Sequence, residues 1–134
     1  MLIDARLRIL FLSDTAAGSV HDKRLADQTP YPLPVGSHLL QDSGFLGFEL
    51  ADVETLTPQK KPRGGILTPT QEATNEQLAR RRVRIEHVNS SVKRCRIVQD
   101  LIRLFKQGVR DRVIEICCAL HNFRVRLTPW KPMD

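Results

Sequence analysis

The sequence predicts an α/β fold, and three observations carry that expectation. Short apolar runs broken by Pro, Gly and Asp fill the first 57 residues, a Pro/Gly/Lys-rich stretch follows, and from about Thr74 apolar residues recur at steps of three and four. Strands followed by helices is the order this implies. At 134 residues, 41% apolar and 27% charged, the chain fits one small domain, residues 1–134, with a modest core.

"LIDARLRILFLS", residues 2–13, ends in an apolar run that reads as a strand, with Leu7, Ile9 and Phe11 alternating before the run turns fully apolar, and Asp4 is expected in a surface strand or hairpin. "VHDKRLAD", residues 20–27, reads as a short helix. In "YPLPVGSHLLQDSGFLGF" a brief strand at Leu39–Leu40 stops at Asp42, and "ADVETLTP" supplies another short strand. Residues 58–75 are expected to form a flexible loop. Thr74 or Asn75 is the expected N-cap of a helix with Glu76 in its first turn. Ile85, Val88, Val92, Cys95, Val98, Ile102, Phe105 and Val109 then make one long apolar stripe that breaks at Gly108. "RDRVIEICCALHNFRVRL" is a last helix, expected to turn Val113, Ile116, Cys117 and Leu120 inward, and "TPWKPMD" is an irregular tail.

Charge is unevenly placed. Residues 1–79 hold seven Lys/Arg against ten Asp/Glu, net −3, and residues 80–134 hold fourteen against five, net +9. A basic C-terminal half points to a polyanion partner, although solvated helix faces also collect arginine. Cys95, Cys117 and Cys118 offer neither an even disulfide framework nor a CxxC spacing, so they read as reduced packing residues. No stretch approaches the roughly 20 apolar residues of a membrane span and no secretory signal opens the chain, so no membrane partner is expected and the expected compartment is the cytoplasm.

Two carboxylates stand out. Asp42 ends an apolar strand just before Ser43-Gly44-Phe45, where α/β folds place functional groups, although an Asx-type turn former fits the same position. Glu86 is the one acid of "RRRVRIEHVNSSVKRCR". At about 100° per residue, Arg82, Glu86 and Lys93 project within roughly 40° of one another. A local Arg82–Glu86 pair on a solvated face accounts for that spacing too. His21-Asp22 has no further histidine at ligand spacing, and His38, His87 and His121 lack mutual metal spacing, so none is expected to bind a metal.

The run from Arg82 through Glu86 to Lys93 resembles the signature around the third acid of insertion-sequence DDE transposases. The resemblance extends through "GSVHDKRLAD", "LLQDSGFLGF", "TPQKKPRGG", "RRVRIEHVNSSVKRCRIV" and "CCALHNFRVRLTPW", five segments in the family's order over nearly the whole chain. It implies a partial ribonuclease-H-like fold, the C-terminal portion of a catalytic domain without its first strands. In that fold three acids hold two divalent cations, Mg²⁺ or Mn²⁺, that cut and join DNA.

By the same resemblance Asp42 matches the second acid and Glu86 the third, both catalytic and metal-binding. Arg82 and Lys93 match the basic residues flanking that Glu. The basic charge itself makes Arg80, Arg81, Lys60 and Lys61 further expected DNA contacts. Where the family often has Tyr, three residues before the Arg, this chain has Ala79. The first acid belongs upstream of "RILFLSDTAAGSVHDK" and has no match here, which implies a fragment inactive alone, with an upstream transposase polypeptide or a second copy as its partner beside DNA. The alternative is a noncatalytic basic module that binds DNA or regulates a transposase.

Overall fold

The computed structural model describes residues 1–16, 20–41, 43–45, 47–99 and 108–130. They fall into two compact units, the first from residues 1–15 and 84–134, the second from residues 16–83.

In the first unit Asp4 folds the chain back on itself. Its Oδ1 accepts from the backbone N–H groups of Arg6 and Arg8, each at 2.9 Å, and its Oδ2 pairs with the Arg8 guanidinium at 2.6 Å. The stretch over residues 2–13 is therefore a hairpin, as expected for Asp4, and the strand expected in its apolar end is the second arm. Strand β1 (Leu2–Ile3) runs antiparallel to β2 (Ile9–Phe11), with Ile3 opposite Ile9 and Leu2 opposite Phe11 across an irregularity. Leu7 sits in the turn at φ 64° with its side chain only 2% exposed. That backbone costs about 1–2 kcal/mol for a residue with a Cβ, and burying a leucine returns about 1.5–3 kcal/mol, so burial wins.

The second unit begins with helix α1 (Asp22–Asp27), capped by His21, whose Nδ1 accepts from the Lys23 N–H at 3.3 Å. Strands β3 (Ser37–Leu40) and β4 (Val53–Leu56) pair in parallel from Ser37 opposite Val53 to Leu40 opposite Leu56. His38 and Glu54 share one register position and form an exposed pair at 2.9 Å. Phe48 and Ala26 are buried, and the Tyr31 ring meets Phe48 edge-on at 5.6 Å.

Helix α2 (Pro69–Lys93) starts earlier than expected. Thr68 and Gln71 form a reciprocal cap, Oγ1 accepting from the Gln71 N–H at 3.3 Å and Oε1 accepting from the Thr68 N–H at 2.9 Å. Proline at the first helical position is pre-set for this start. The connection expected over residues 58–75 thus ends at Thr68, and Thr74 and Asn75 lie inside the helix.

The long apolar stripe is not on one helix. After Lys93 the backbone tightens, Cys95 N–H donating to Val92 C=O at 3.1 Å, and a short helix α3 (Arg96–Gln99) follows; Ile102 and Phe105 lie outside the described residues. The inward set is nonetheless partly right. Val88 and Val92 join Leu7, Ile9, Cys117 and Cys118 in the core of the first unit, with Cys95, Val98, Val113 and Ile114 packed against it.

Helix α4 (Val109–Leu127) opens at Gly108, whose φ of 75° marks the expected break. Its inward face agrees with expectation at Val113 and Cys117 and differs at Ile116 and Leu120. Cys117, Cys118, His121 and Val125 are buried, whereas Ile116 and Leu120 point outward. Among the described residues four strands and four α-helices make an α/β arrangement, and both sheets are two-stranded.

Candidate nucleic-acid interface and acidic site

Arg82, Glu86 and Lys93 all lie on α2, whose helical backbone is continuous from Pro69 to Lys93, so the spacing read from sequence holds. Glu86 and Lys93 are exposed and Arg82 is half-buried. Arg80 pairs with Glu76 one turn earlier at 2.7 Å, an exposed contact of a few tenths of a kcal/mol that an incoming phosphate can replace. Arg84 donates to the Ala5 carbonyl at 3.2 Å, which ties α2 to the turn of the β1–β2 hairpin.

Asn75, expected as a cap, has a different task. Its side-chain amide brackets the backbone of Gln59, donating to the carbonyl at 2.9 Å and accepting from the N–H at 2.8 Å. Asn75 precedes Arg82 by seven residues, about two turns, and faces within about 20° of it. The exposed Lys60 and Lys61 therefore leave a point anchored on the Arg82 face of the helix.

Asp42 lies outside the described residues; what leads up to it is clear. Gln41 N–H donates to Leu56 C=O at 3.3 Å, extending the parallel ladder by one step beyond β3. The Gln41 side chain is buried and donates from Nε2 to the Phe48 carbonyl at 3.2 Å, closing the turn that contains the 3-10 residues Ser43–Phe45. Sequence reading passed over Gln41 because a lone glutamine carries no periodic signal.

Among the described residues no three His, Cys, Asp or Glu side chains converge on a point that could hold a metal ion. Those residues do not by themselves fit a two-cation site. His21 caps α1, His38 pairs with Glu54 and His87 lies against the Trp130 ring at 5.2 Å.

His121 and Asn122 are the polar residues the sequence undervalued. His121 Nε2 lies 2.8 Å from the Leu7 carbonyl and Nδ1 lies 2.8 Å from Ser91 Oγ, which in turn accepts from Arg124 at 3.1 Å. A carbonyl only accepts, so Nε2 carries the proton and Nδ1 accepts from the Ser91 hydroxyl. Asn122 grips Ile9 at both its N–H and its C=O. The β1–β2 hairpin is thus held to α4 at two successive residues of "LHNF".

Among the described residues no helix is long and apolar enough to cross a membrane. No solved structure matches the chain. Residues 1–122 match the family model described as DDE superfamily endonuclease. A curated relative, described as a probable transposase for insertion sequence element IS702 from Microchaete diplosiphon, is 29% identical over 112 residues, which are 82% of this chain and 40% of the relative. The chain thus spans well under half of that relative's length. With nine-tenths of its residues under the family match, the chain belongs to the DDE superfamily endonucleases, as a protein of the insertion-sequence transposase type.

Proposed function

We propose that residues 1–134 are a C-terminal portion of a transposase catalytic domain of partial ribonuclease-H-like fold, acting in DNA cleavage and strand transfer. Asp42 and Glu86 serve as the second and third acids of its site. Arg82 and Lys93 hold the phosphates beside Glu86, and Arg80, Arg81, Lys60 and Lys61 extend the contact along the duplex. The observation that carries this reading is the register of Arg82, Glu86 and Lys93 on the unbroken helix α2, inside the segment that matches the family. The Gln59–Asn75 clamp adds two lysines to the same helix face.

Mg²⁺ or Mn²⁺ is the cofactor the family brings. The first acid of the family's site has no match among residues 1–134, so a cleavage assay supplies it on a further polypeptide, an upstream transposase segment or another copy. The test is reconstitution with a segment that carries the missing acid. Metal-dependent strand cleavage should appear, and Glu86→Gln should abolish it while DNA binding stays within about twofold. Cleavage that survives Glu86→Gln sinks the assignment of that residue.

A noncatalytic basic module that binds DNA or regulates a transposase is the second reading, supported by the same basic face, net +9 over residues 80–134. Titration with Mn²⁺ separates the two. Binding that Asp42→Ala or Glu86→Ala removes supports the catalytic reading, and binding unaffected by either supports the module.

A further inference from the structure

Helix α4 carries two apolar stripes, and the core uses only one. Cys117, Cys118 and Val125, with the bonded His121, occupy the buried face. On the other face Ile116, Leu120, Phe123 and Leu127 are 54%, 51%, 61% and 67% exposed. Their spacing of four, three and four residues places all four within about 60° of helix circumference, the spacing of a helix seam that receives a second helix. Three turns of large apolar side chains left in water mark a contact surface.

The border of this stripe says what fits it. Within about a quarter turn of its centre the charged residues are the exposed Arg112 and Arg126, together with Arg124, whose guanidinium also donates to Ser91, and the nearest acid, Glu115, lies farther round. Seam-flanking charges choose the partner. A second copy of α4 would set these arginines against arginines. The inner face of α4 is also pinned, by the bonds of His121 to Leu7 and Ser91 and of Asn122 to Ile9, so the stripe is presented on a rigid support. A seam of fixed spacing on a rigid helix is met best by side chains of matching spacing, which a lipid surface does not offer.

We propose that α4 is a docking surface for an amphipathic helix whose apolar stripe is flanked by acidic residues. This surface is independent of the acidic site and stands or falls apart from it.

Two designed peptides of roughly three heptads test it, both with Ile and Leu at the seam positions, one with Glu and the other with Lys at the flanks. In fluorescence anisotropy with the whole chain, the Glu peptide should bind at least about tenfold more tightly than the Lys peptide. Leu120→Gln with Phe123→Gln should remove that binding, and Arg112→Glu with Arg126→Glu, which touches no core residue, should reverse the preference. Equal binding of both peptides, or binding of neither, overturns the proposal. So does sedimentation that shows dimers broken by Leu120→Gln with Phe123→Gln, which would make a second copy the occupant. Stronger partition to phosphatidylserine vesicles than to the Glu peptide would overturn it in favour of a lipid surface.

Discussion

The side-chain amide of Asn122 bonds the backbone of Ile9 twice, accepting from its N–H and donating to its C=O, each at 2.8 Å. An amide that offers one donor and one acceptor in a plane imitates the edge of a neighbouring strand. β2 is paired with β1 on one side, and Asn122 satisfies backbone groups that would otherwise need a further strand or water. Together with His121 at the Leu7 carbonyl, it makes α4 the support on which the hairpin rests.

Asn122→Ala should therefore lower stability by about 2 kcal/mol, since two part-buried backbone groups lose their partners at once. Asn122→Asp should do no better, because a carboxylate accepts from the Ile9 N–H and repels its carbonyl. Urea unfolding followed by circular dichroism reads both. An unchanged midpoint for Asn122→Ala would show that the clamp contributes nothing net.

His121→Phe should be at least as damaging, about 2–3 kcal/mol, although the two side chains are similar in size. It strands the Leu7 carbonyl and the Ser91 hydroxyl in a site where the histidine is only 2% exposed. Leu120→Ala, on the exposed stripe of the same helix, should change stability by under about 1 kcal/mol. If Leu120→Ala were the more destabilising of the two, the inward face of α4 would be wrongly placed.

That pairing also shows where the sequence was legible. Alternation at Ile9 and Phe11, the Pro/Gly punctuation around Leu39–Leu40 and the left-handed Gly108 are local signals, and they mark the right elements, whereas Leu7 of the same alternation sits in the turn before β2. Helix α4 is apolar on two stripes, so periodicity alone had no means to choose between Ile116/Leu120 and Cys118/Val125; the choice was made by hydrogen bonds to a hairpin more than a hundred residues away. The end of α2 at Lys93 has no Gly or Pro to announce it. The capping box at Thr68 and Gln71 was there to be read, but the Pro/Gly/Lys-rich run before it drew the boundary too far along the chain. In the site, the Arg82–Glu86–Lys93 spacing survived because it needs only one straight helix, whereas the Asn75–Gln59 clamp depends on tertiary placement.

Stability should fall at both ends of the pH range, with different residues responsible. The Asp111 carboxyl is held below its ordinary value of 3.8 by the Thr15 N–H, which donates to it at 2.7 Å. A depressed acid contributes its stability above the unfolded value and loses it as pH drops through the folded one, so this contribution disappears in strong acid. Burial pushes the Cys117 thiol from 9.0 up to about 11, with the Cys95 thiol beside it adding to the shift. A raised acid favours the folded state fully below the unfolded value, so stability should begin to fall above about pH 9 and go on falling toward pH 11. Thermal melts of Cys117→Ala should lessen the alkaline decline, burial of the Cys118 thiol, also raised, sustaining the remainder, and keep the acid one. Asp111→Asn should do the reverse, and a variant that altered both limbs equally would contradict this division.

The basic face makes the last prediction, and its sign does not depend on whether the site is complete. Residues 80–134 carry a net charge of +9, and Arg80, Arg81 and Lys93 stand exposed along α2. Phosphate contacts made by Lys and Arg release condensed counterions, so the logarithm of affinity should fall linearly with the logarithm of salt, by about 0.9 per phosphate neutralised on a duplex. Sequence preference should be slight, because such contacts position a protein on DNA without reading its bases. Replacing Arg80, Arg81 and Arg82 together by alanine should weaken every duplex alike and reduce the salt slope by roughly two to three. Lys60→Ala with Lys61→Ala should reduce it further, since the Gln59–Asn75 clamp holds those lysines to the same helix. Glu86→Gln should leave the slope unchanged and tighten binding slightly, because it removes one negative charge from among the arginines. Fluorescence anisotropy between 50 and 200 mM salt, a range of about fourfold over which counterion release is readily seen, decides the matter. Binding indifferent to salt, or a triple-arginine variant that loses affinity for one sequence only, would mean that α2 is not the DNA-facing helix.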